Sequence, residues 1–323
     1  MPGQGVVAGR LGPVRTPLIV LVGPTATGKS ALAVDVALEL GRRGRRAEVV
    51  NADSMLVYRG MDIGTAKPTL EERRGVPHHL IDILDVTQLA SVADFQTLAR
   101  DTISALRADD VVPILVGGSA LYTRAITDHF DFPGSDPEVR ARLEDELDRV
   151  GAPALHARLA ALAPDSAAQI EPGNGRRTVR ALEVLELTGR HRPTVPDWTY
   201  ELDDVHTFGL ALERGELDRR IEARVEQMFA DGLVDEVRGL LDRGLRDGTT
   251  AVRAIGYRQV VDLLDGELTH QEAVVRIQAL TRRFFRKQLG WYRRDPRIQW
   301  LDAGDPGNVE VVAAVVDSET ETR

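Results

Sequence analysis

The sequence predicts an α/β fold: a parallel sheet flanked by helices, with an all-helical domain inserted into it. Three observations carry that expectation. Apolar runs alternate with amphipathic helical stretches over the first 127 residues, which is the signature of a parallel sheet covered on both faces. The run Gly23-Pro24-Thr25-Ala26-Thr27-Gly28-Lys29-Ser30 fits the pattern G-x-x-x-x-G-K-[ST] and lies between an apolar stretch and a helical one, where a phosphate-binding loop has to sit. From Asp131 to about His191 no strand pattern appears, and apolar residues recur only at helical spacing.

Taken in order, residues 1–17 are rich in glycine and proline, lack the apolar core of a signal peptide, and are expected to form a disordered tail. The core begins at 18. A strand from Leu18 to Val22 feeds the phosphate loop, and a helix follows from Lys29 to about Leu40, closed by Gly41. The next strand is Ala47 to Asn51, followed by an irregular stretch to Pro77 and a short strand near Leu80 to Leu84. Ser91, with Asp94 three residues on, opens a helix in the manner of a capping box. The strand Val111 to Val116 runs into Gly117-Gly118-Ser119. Val139, Leu143 and Leu147, then Leu155, Leu159 and Leu162, then Val179, Leu182 and Leu185 mark the helices of an insertion assigned to 131–195. The core resumes at 196, with a strand from Val205 to Leu212, amphipathic helices to about Leu289, a last strand near Ile298 to Leu301, and a polar tail. The fold class is thus α/β of the P-loop NTPase-like kind, with core segments 18–130 and 196–323.

Composition narrows the chemistry. With 323 residues, 43% of them hydrophobic, the chain buries a full core. The absence of cysteine excludes disulfides, zinc–thiolate sites and cysteine nucleophiles. No apolar run approaches the roughly 18 residues that span a bilayer, so a cytoplasmic protein with no membrane partner is expected. The net charge of -9 argues against a polyanionic partner, but its distribution reverses the inference. Between Arg276 and Arg297 stand eight basic residues against the single acid Asp295, and a local field decides where a nucleic acid lands.

The phosphate loop is the sharpest motif. Its glycines permit a tight turn that aims successive N–H groups at phosphate oxygens, and the helix opening at Lys29 adds the positive end of its dipole. Lys29 is one of only three lysines, with Lys67 and Lys287, in a chain that otherwise uses arginine. Ser30 is the usual hydroxyl ligand of magnesium in such a loop, against the plainer reading of a helix N-terminal serine. In sheets of this kind ligands gather at the carboxyl ends of strands, which brings in Asn51-Ala52-Asp53-Ser54 and Gly117-Gly118-Ser119. Asp53 is open to three readings: a magnesium ligand through water, a base toward an acceptor nucleophile, or a cap of its own turn. Ser119 is either an active-site hydroxyl or the cap of the following helix. His78 and His79 are adjacent, diverge on a strand and lack a third ligand at zinc-like spacing.

The basic run is organised. Arg282, Arg286 and Arg293, and one residue along Arg283, Lys287 and Arg294, fall on one broad helical face. With acids nearly absent, phosphate-backbone contact is favoured over a solvated face, while the interleaved Phe284, Phe285, Trp291 and Tyr292 read as core more than as base-stacking platforms. Arg176, Arg177 and Arg180 open the last insertion helix as a second basic group. Arg42, Arg43, Arg45 and Arg46 are expected to be a solvated loop.

Taken together, GPTATGKS, NADSMLVYRGMDIGTAKP, VPHHLID, LVGGSALY, RRTVRALEV, MFADGLVDEV and AIGYRQ resemble, in order and from about Leu18 to Leu301, the tRNA dimethylallyltransferase (tRNA isopentenyltransferase) family. The resemblance implies transfer of a dimethylallyl group from dimethylallyl diphosphate to N6 of adenosine 37, beside the anticodon, with magnesium as cofactor. It implies that Gly23, Pro24, Thr25, Ala26, Thr27, Gly28, Lys29 and Ser30 cradle the diphosphate of the prenyl donor, with Ser30 helping to hold the metal. Asp53 would be the base, and Ser119 and Arg140 would complete the catalytic set. Contacts to the tRNA anticodon stem-loop map onto Asp53, Ser54, Met55 and Leu56, onto Ser119 and Arg140, onto Arg176, Arg177, Thr178, Val179 and Arg180, and onto Arg253, Arg258, Arg286, Lys287 and Arg293. A monomer is expected. The chain departs from the family pattern at Ser119, where threonine is usual, and at Ala120, where glycine is common. Serine keeps the hydroxyl but loses the methyl that stiffens the rotamer.

Two rivals remain at the level of sequence: a P-loop kinase of a small metabolite, and an RNA-binding regulator switched by a nucleotide. Against the first, the strand Val111 to Val116 ends in glycines and offers no carboxylate for magnesium. The second leaves Asp53 without work.

Overall fold

Five consecutive apolar residues, Leu18–Val22, form β1 and are all buried. A strand covered on both faces is apolar throughout, and alternate side chains serve opposite faces. Leu18, Val20 and Val22 enter one core with Phe95, Ile103 and Leu115, whereas Ile19 and Leu21 enter the other with Val36, Leu40 and Ile114. The computed structural model describes residues 16–130, 132–189 and 198–317. Most of the tail expected over 1–17 and the end of the insertion, 190–195, lie outside the described residues. Thr16 and Pro17 are already packed, with the Thr16 hydroxyl donating to Asp110 at 3.2 Å.

From β1 the chain runs through α1 (Lys29–Arg42), β2 (Ala47–Asn51), α2 (Leu70–Arg73), β3 (His78–His79), α3 (Val92–Ala108), β4 (Val112–Gly117) and α4 (Ala120–Thr127). Four helices follow, α5 (Pro137–Val150), α6 (Ala152–Leu162), α7 (Pro164–Ala167) and α8 (Gly175–Thr188). The chain resumes with β5 (Val205–Ala211), α9 (Arg214–Ala230), α10 (Leu233–Asp242), α11 (Tyr257–Leu264), α12 (His270–Tyr292), β6 (Gln299–Asp302) and α13 (Asn308–Asp317). All six strands are parallel, in the order β3-β2-β4-β1-β5-β6. That order makes β2, β4 and β1 neighbours, so the three turns leaving their carboxyl ends lie side by side.

Contacts divide the chain into two compact units, one of residues up to Asp128 and from Tyr200 onward, the other His129–Thr199. Among its described residues the second holds helices and no strand, and its core is Leu143, Leu155, Leu159, Val179 and Leu182. In the first unit, Asp128 and Tyr200 pair as an isolated antiparallel bridge where the chain leaves and re-enters. Arg297 fastens that bridge, with two 3.0 Å bonds to the buried Asp128 carboxylate and its guanidinium 3.9 Å from the Tyr200 ring centroid.

Three local expectations need correction. The strand expected near Leu80 to Leu84 is displaced to His78–His79, because Leu80 and Asp82 take left-handed backbone, φ 61° and 57°, which turns the chain out of the sheet. The polar tail contains α13, whose Val312, Ala313 and Val316 are buried in the same core as α1. Arg43 is no solvated loop residue: it ends α1 and pairs with Glu39, Glu310 and Asp317, tying α13 down.

Candidate active site

The phosphate loop leaves β1 in a strained course. Gly23 has φ 140°, and a Cβ there would stand 2.9 Å from the Leu210 carbonyl oxygen, so only glycine fits. Ala26, at φ 67°, and Gly28, at φ 90°, complete the turn into α1. Inside the loop the Thr27 hydroxyl donates to the Pro24 carbonyl at 2.9 Å, and the Lys29 ammonium donates to the same oxygen at 2.6 Å. Ser30 is exposed at the start of α1.

The turn after β2 is built by Asn51. Its Oδ1 accepts the Asp53 N–H at 2.7 Å, while its Nδ2 donates to the carbonyls of Asp53 and Leu80, both at 3.0 Å. Asp53 Oδ1 accepts the Met55 N–H at 2.9 Å. One carboxylate oxygen thus holds the turn and the other faces the site. After β4, Gly117 and Gly118 let backbones crowd together: a Cβ on Gly117 would meet Ala52 at 2.8 Å, and one on Gly118 would stand 2.9 Å from the Gln288 amide and 3.8 Å from Asp53 Oδ2. Ser119 occupies the N-cap position of α4, yet its hydroxyl makes no capping bond.

Two residues that the sequence did not single out complete the site. Gln288, buried on α12, donates Nε2 to the Gly118 carbonyl at 2.5 Å and accepts the Thr25 N–H on Oε1 at 3.4 Å, bridging the phosphate loop and the β4 turn. Arg224, on α9, lines the same cavity as Lys29 and Asp53. A signal for it existed: it stands three residues after Ile221 and one before Val225, on the edge of the buried stripe of its helix.

Electrostatics around the loop favour an incoming anion. Desolvation pulls the Lys29 ammonium down to about 8, Asp53 works against that shift, and the like charge of Arg224 adds to it. Desolvation also lowers Arg224, opposed by Asp53 and then by Glu72. Two partly desolvated cations sharing one carboxylate are satisfied by a further negative group. The cavity they line has a volume of about 670 Å³. No cluster of three or more His, Asp or Glu among the described residues is arranged to hold a metal by itself. An exposed Ser30 hydroxyl beside the phosphate loop fits magnesium bound mainly by diphosphate oxygens, as that ion prefers.

The candidate RNA residues are unequally disposed. Arg286, Lys287 and Arg293 are exposed on or just after α12 and, among the described residues, form no ion pair. Arg253 is exposed, and Arg258 is held by Asp262 at 2.8 Å. Ser54, Met55 and Leu56 are half-buried beside Asp53. In the helical unit Arg176 and Arg177 are exposed at the start of α8, but Thr178 and Val179 are buried in that unit's core, so their side chains are not available to a partner. Arg140 and Arg180 are both held by the buried carboxylate of Glu183, at 2.5 and 2.7 Å. His78 and His79 are occupied by the Val76 carbonyl and by Glu48.

Comparison with known proteins places this architecture. The family described as IPP transferase matches residues 56–295. The chain is 56% identical over 300 residues to a tRNA dimethylallyltransferase of Thermobifida fusca, covering 93% of this chain and 94% of the relative. It is 57% identical over 297 residues to one of Kineococcus radiotolerans, covering 91% and 93%. The crystal structure of a full-length tRNA isopentenylpyrophosphate transferase from Bacillus halodurans superposes with a TM-score of 0.68 at 40% identity, covering 95% of this chain and 99% of that one. A eukaryotic dimethylallyltransferase acting on tRNA gives 0.78 at 25% identity, with 95% and 80% covered.

Proposed function

The chain belongs to the IPP transferase family, and we infer that it transfers a dimethylallyl group from dimethylallyl diphosphate to N6 of adenosine 37 in tRNA, releasing diphosphate and leaving N6-(dimethylallyl)adenosine. The observation that carries the reading at the site is the meeting of Asp53 with Lys29 and Arg224 in one cavity at the strand ends.

The N6 lone pair forms a bond to C1 of the prenyl donor as the C1–O bond breaks, and the electron pair leaves with the diphosphate. Positive charge develops on N6, which is a poor nucleophile because its lone pair is delocalised into the ring. The Asp53 oxygen not engaged by the Met55 N–H takes the N6 proton, a role typically worth about 10²–10⁴-fold in rate. At the other end, the Gly23–Ser30 backbone, Lys29 and Arg224 stabilise the charge collecting on the departing diphosphate through fixed donors in a desolvated cavity. Magnesium bound to the diphosphate would add a positive charge there, with Ser30 as its side-chain ligand. The Ser119 hydroxyl, uncommitted to its helix cap, is a further donor to the leaving group. Arg140 is assigned to the catalytic set on family resemblance alone.

The tRNA partner is engaged at its anticodon stem-loop by Arg286, Lys287, Arg293 and Arg253, with Arg176 and Arg177 on the helical unit. A stacked adenosine has to be extruded to reach Asp53. We place the enzyme in the cytoplasm as a monomer; no helix among the described residues is long and apolar enough to cross a membrane. The test is incubation with magnesium, unmodified tRNA and either labelled dimethylallyl diphosphate or labelled ATP. Label entering RNA from the prenyl donor is the expected result, and ATP turnover without it sinks the reading.

A further inference from the structure

Three sequence motifs have no part in that chemistry as described: MDIGTAKP, MFADGLVDEV and AIGYRQ. In the structure they meet at one carboxylate. Glu236, on α10, accepts the backbone N–H groups of Asp62 and Ile63 on Oε2 at 3.1 and 2.7 Å, and that of Gly64 on Oε1 at 3.2 Å. The Tyr257 hydroxyl, from α11, donates to the same Oε1 at 2.6 Å. Four donors converging on one carboxylate fill its lone pairs. The fit is close: a Cβ on Gly64 would stand 2.5 Å from the Tyr257 ring, which is fully buried.

The segment so held is a wall of the donor cavity. Asp62, Ile63, Thr65, Ala66 and Lys67 line it together with Lys29 and Ser30. The segment is also bound to itself. The Lys67 N–H donates to the Asp62 carbonyl at 2.9 Å, and the Thr65 hydroxyl donates to the Met61 carbonyl at 2.6 Å. Ala66 is carried at φ 48°, a left-handed conformation that a side chain tolerates only when its surroundings enforce it. Lys67, itself buried, pairs with Asp62 at 2.6 Å and with Asp82 at 2.5 Å and donates to the Tyr58 carbonyl.

We propose that Glu236, seated against Tyr257, is a positioning residue for diphosphate binding: it holds the 62–67 wall so that Lys67 stays paired with Asp62 and the Asp62 carboxylate does not turn toward the donor. The cavity needs such a device because Asp35, Asp62, Glu72 and Asp231 line it along with Asp53. A loosened wall releases Asp62 from Lys67, and a carboxylate facing a diphosphate across a partly desolvated cavity repels it. Glu236 acts only through the wall, so its loss falls on the donor and not on the tRNA. The inference rests on the transferase reading for the identity of the donor.

The experiment compares wild type with Glu236→Gln and Tyr257→Phe. It measures KM for dimethylallyl diphosphate and for tRNA, kcat, thermal unfolding, and the Kd of inorganic pyrophosphate with magnesium by calorimetry. Glu236→Gln puts an amide N–H against backbone N–H groups, and is expected to raise the donor KM and the pyrophosphate Kd together by about fivefold or more, with tRNA KM within about twofold. Tyr257→Phe leaves the three N–H bonds in place and should move both quantities the same way by about twofold. A folded variant whose pyrophosphate Kd stays at the wild-type value, or whose tRNA KM rises as much as its donor KM, overturns the proposal. If Glu236→Gln does not fold, Tyr257→Phe decides alone. If wild type transfers no prenyl group, the transferase reading fails, while the pyrophosphate titration still tests Glu236.

Discussion

The strand-end cavity and the helical unit both carry dense charge, but they use it in opposite ways. Lys29 and Glu183 each have a lowered pKa, with contrary meaning. For Lys29 desolvation disfavours the charged form, and its only hydrogen-bond acceptor among the described residues is the neutral Pro24 carbonyl. For Glu183 desolvation acts to raise the pKa and is outweighed by hydrogen bonds from Arg140, Arg180 and Ser135, which hold it at about 2. In the cavity Lys29 and Arg224 are left in want of an anion, whereas between the helices of the helical unit charges are matched internally, with Arg158 shared between Glu146 and Glu186 and Arg142 on Glu186 as well. Unsatisfied charge marks the place where a ligand is expected, and satisfied charge marks a scaffold.

The comparison breaks most visibly at Asp53. Asp53→Ala is expected to lower kcat at least about 100-fold with unchanged circular dichroism, because the turn keeps the two Asn51 bonds that shape it. A rate near wild type removes Asp53 from the chemistry. Next in size, Lys29→Met should raise the donor KM roughly tenfold or more, as loss of a charge-assisted phosphate contact does. Arg224→Ala should act in the same direction, and an unchanged donor KM in both would show that the cations are structural.

On the scaffold side the signal is stability against pH. The folded pKa of Glu183 lies below its unfolded value of about 4.5, so its contribution is fully present above pH 4.5 and is lost as pH falls toward about 2. Because Arg140 and Arg180 are each about one-third exposed, the effect is screened to roughly 1–3 kcal/mol. Hydrogen exchange over 137–188 should accelerate across that window in wild type, and Glu183→Gln should flatten the dependence. Equal acid sensitivity in both proteins would mean that the Arg–Glu–Arg cluster does not hold the unit.

The two regions were also unequally legible. The phosphate loop reads directly from sequence because its glycines and lysine are contiguous and the backbone itself is the binding group. Asp53 and the β4 glycines were legible through the rule that strand ends carry ligands, once alternating strands were recognised. Gln288 was not: it reaches the Thr25 and Gly118 backbones from a helix position 263 residues beyond Thr25, and Arg224 left only the signal of its place at the edge of a buried helical stripe. In the helical unit Thr178 and Val179 belong to the 176–180 stretch that the family resemblance maps onto the tRNA, although helical periodicity turns them inward. The 78–84 segment failed for another reason. Its apolar residues looked like a strand, but left-handed backbone at Leu80 and Asp82, needed to bring the Leu80 carbonyl to Asn51, breaks the pairing.

The smallest expected effect separates free cations from paired ones on a single helix. Arg286 and Lys287 are exposed on α12 and form no ion pair among the described residues, while Arg282, one turn earlier, is bonded to Glu222 and lies 3.6 Å from Asp218. A cation that neutralises a phosphate releases counterions, so replacing Arg286 or Lys287 by Ala should lower the slope of log K for tRNA against log salt by roughly 0.7–0.9 each. Arg282→Ala should change that slope less, because its charge is already offset by the two acids. Arg180→Ala adds a cross-check between the regions, since a residue held by Glu183 should lower helical-unit stability more than it alters the salt slope. If Arg282 and Arg286 give equal slopes, ion pairing within the protein does not decide which cations meet the RNA, and the contrast between satisfied and unsatisfied charge fails on this face.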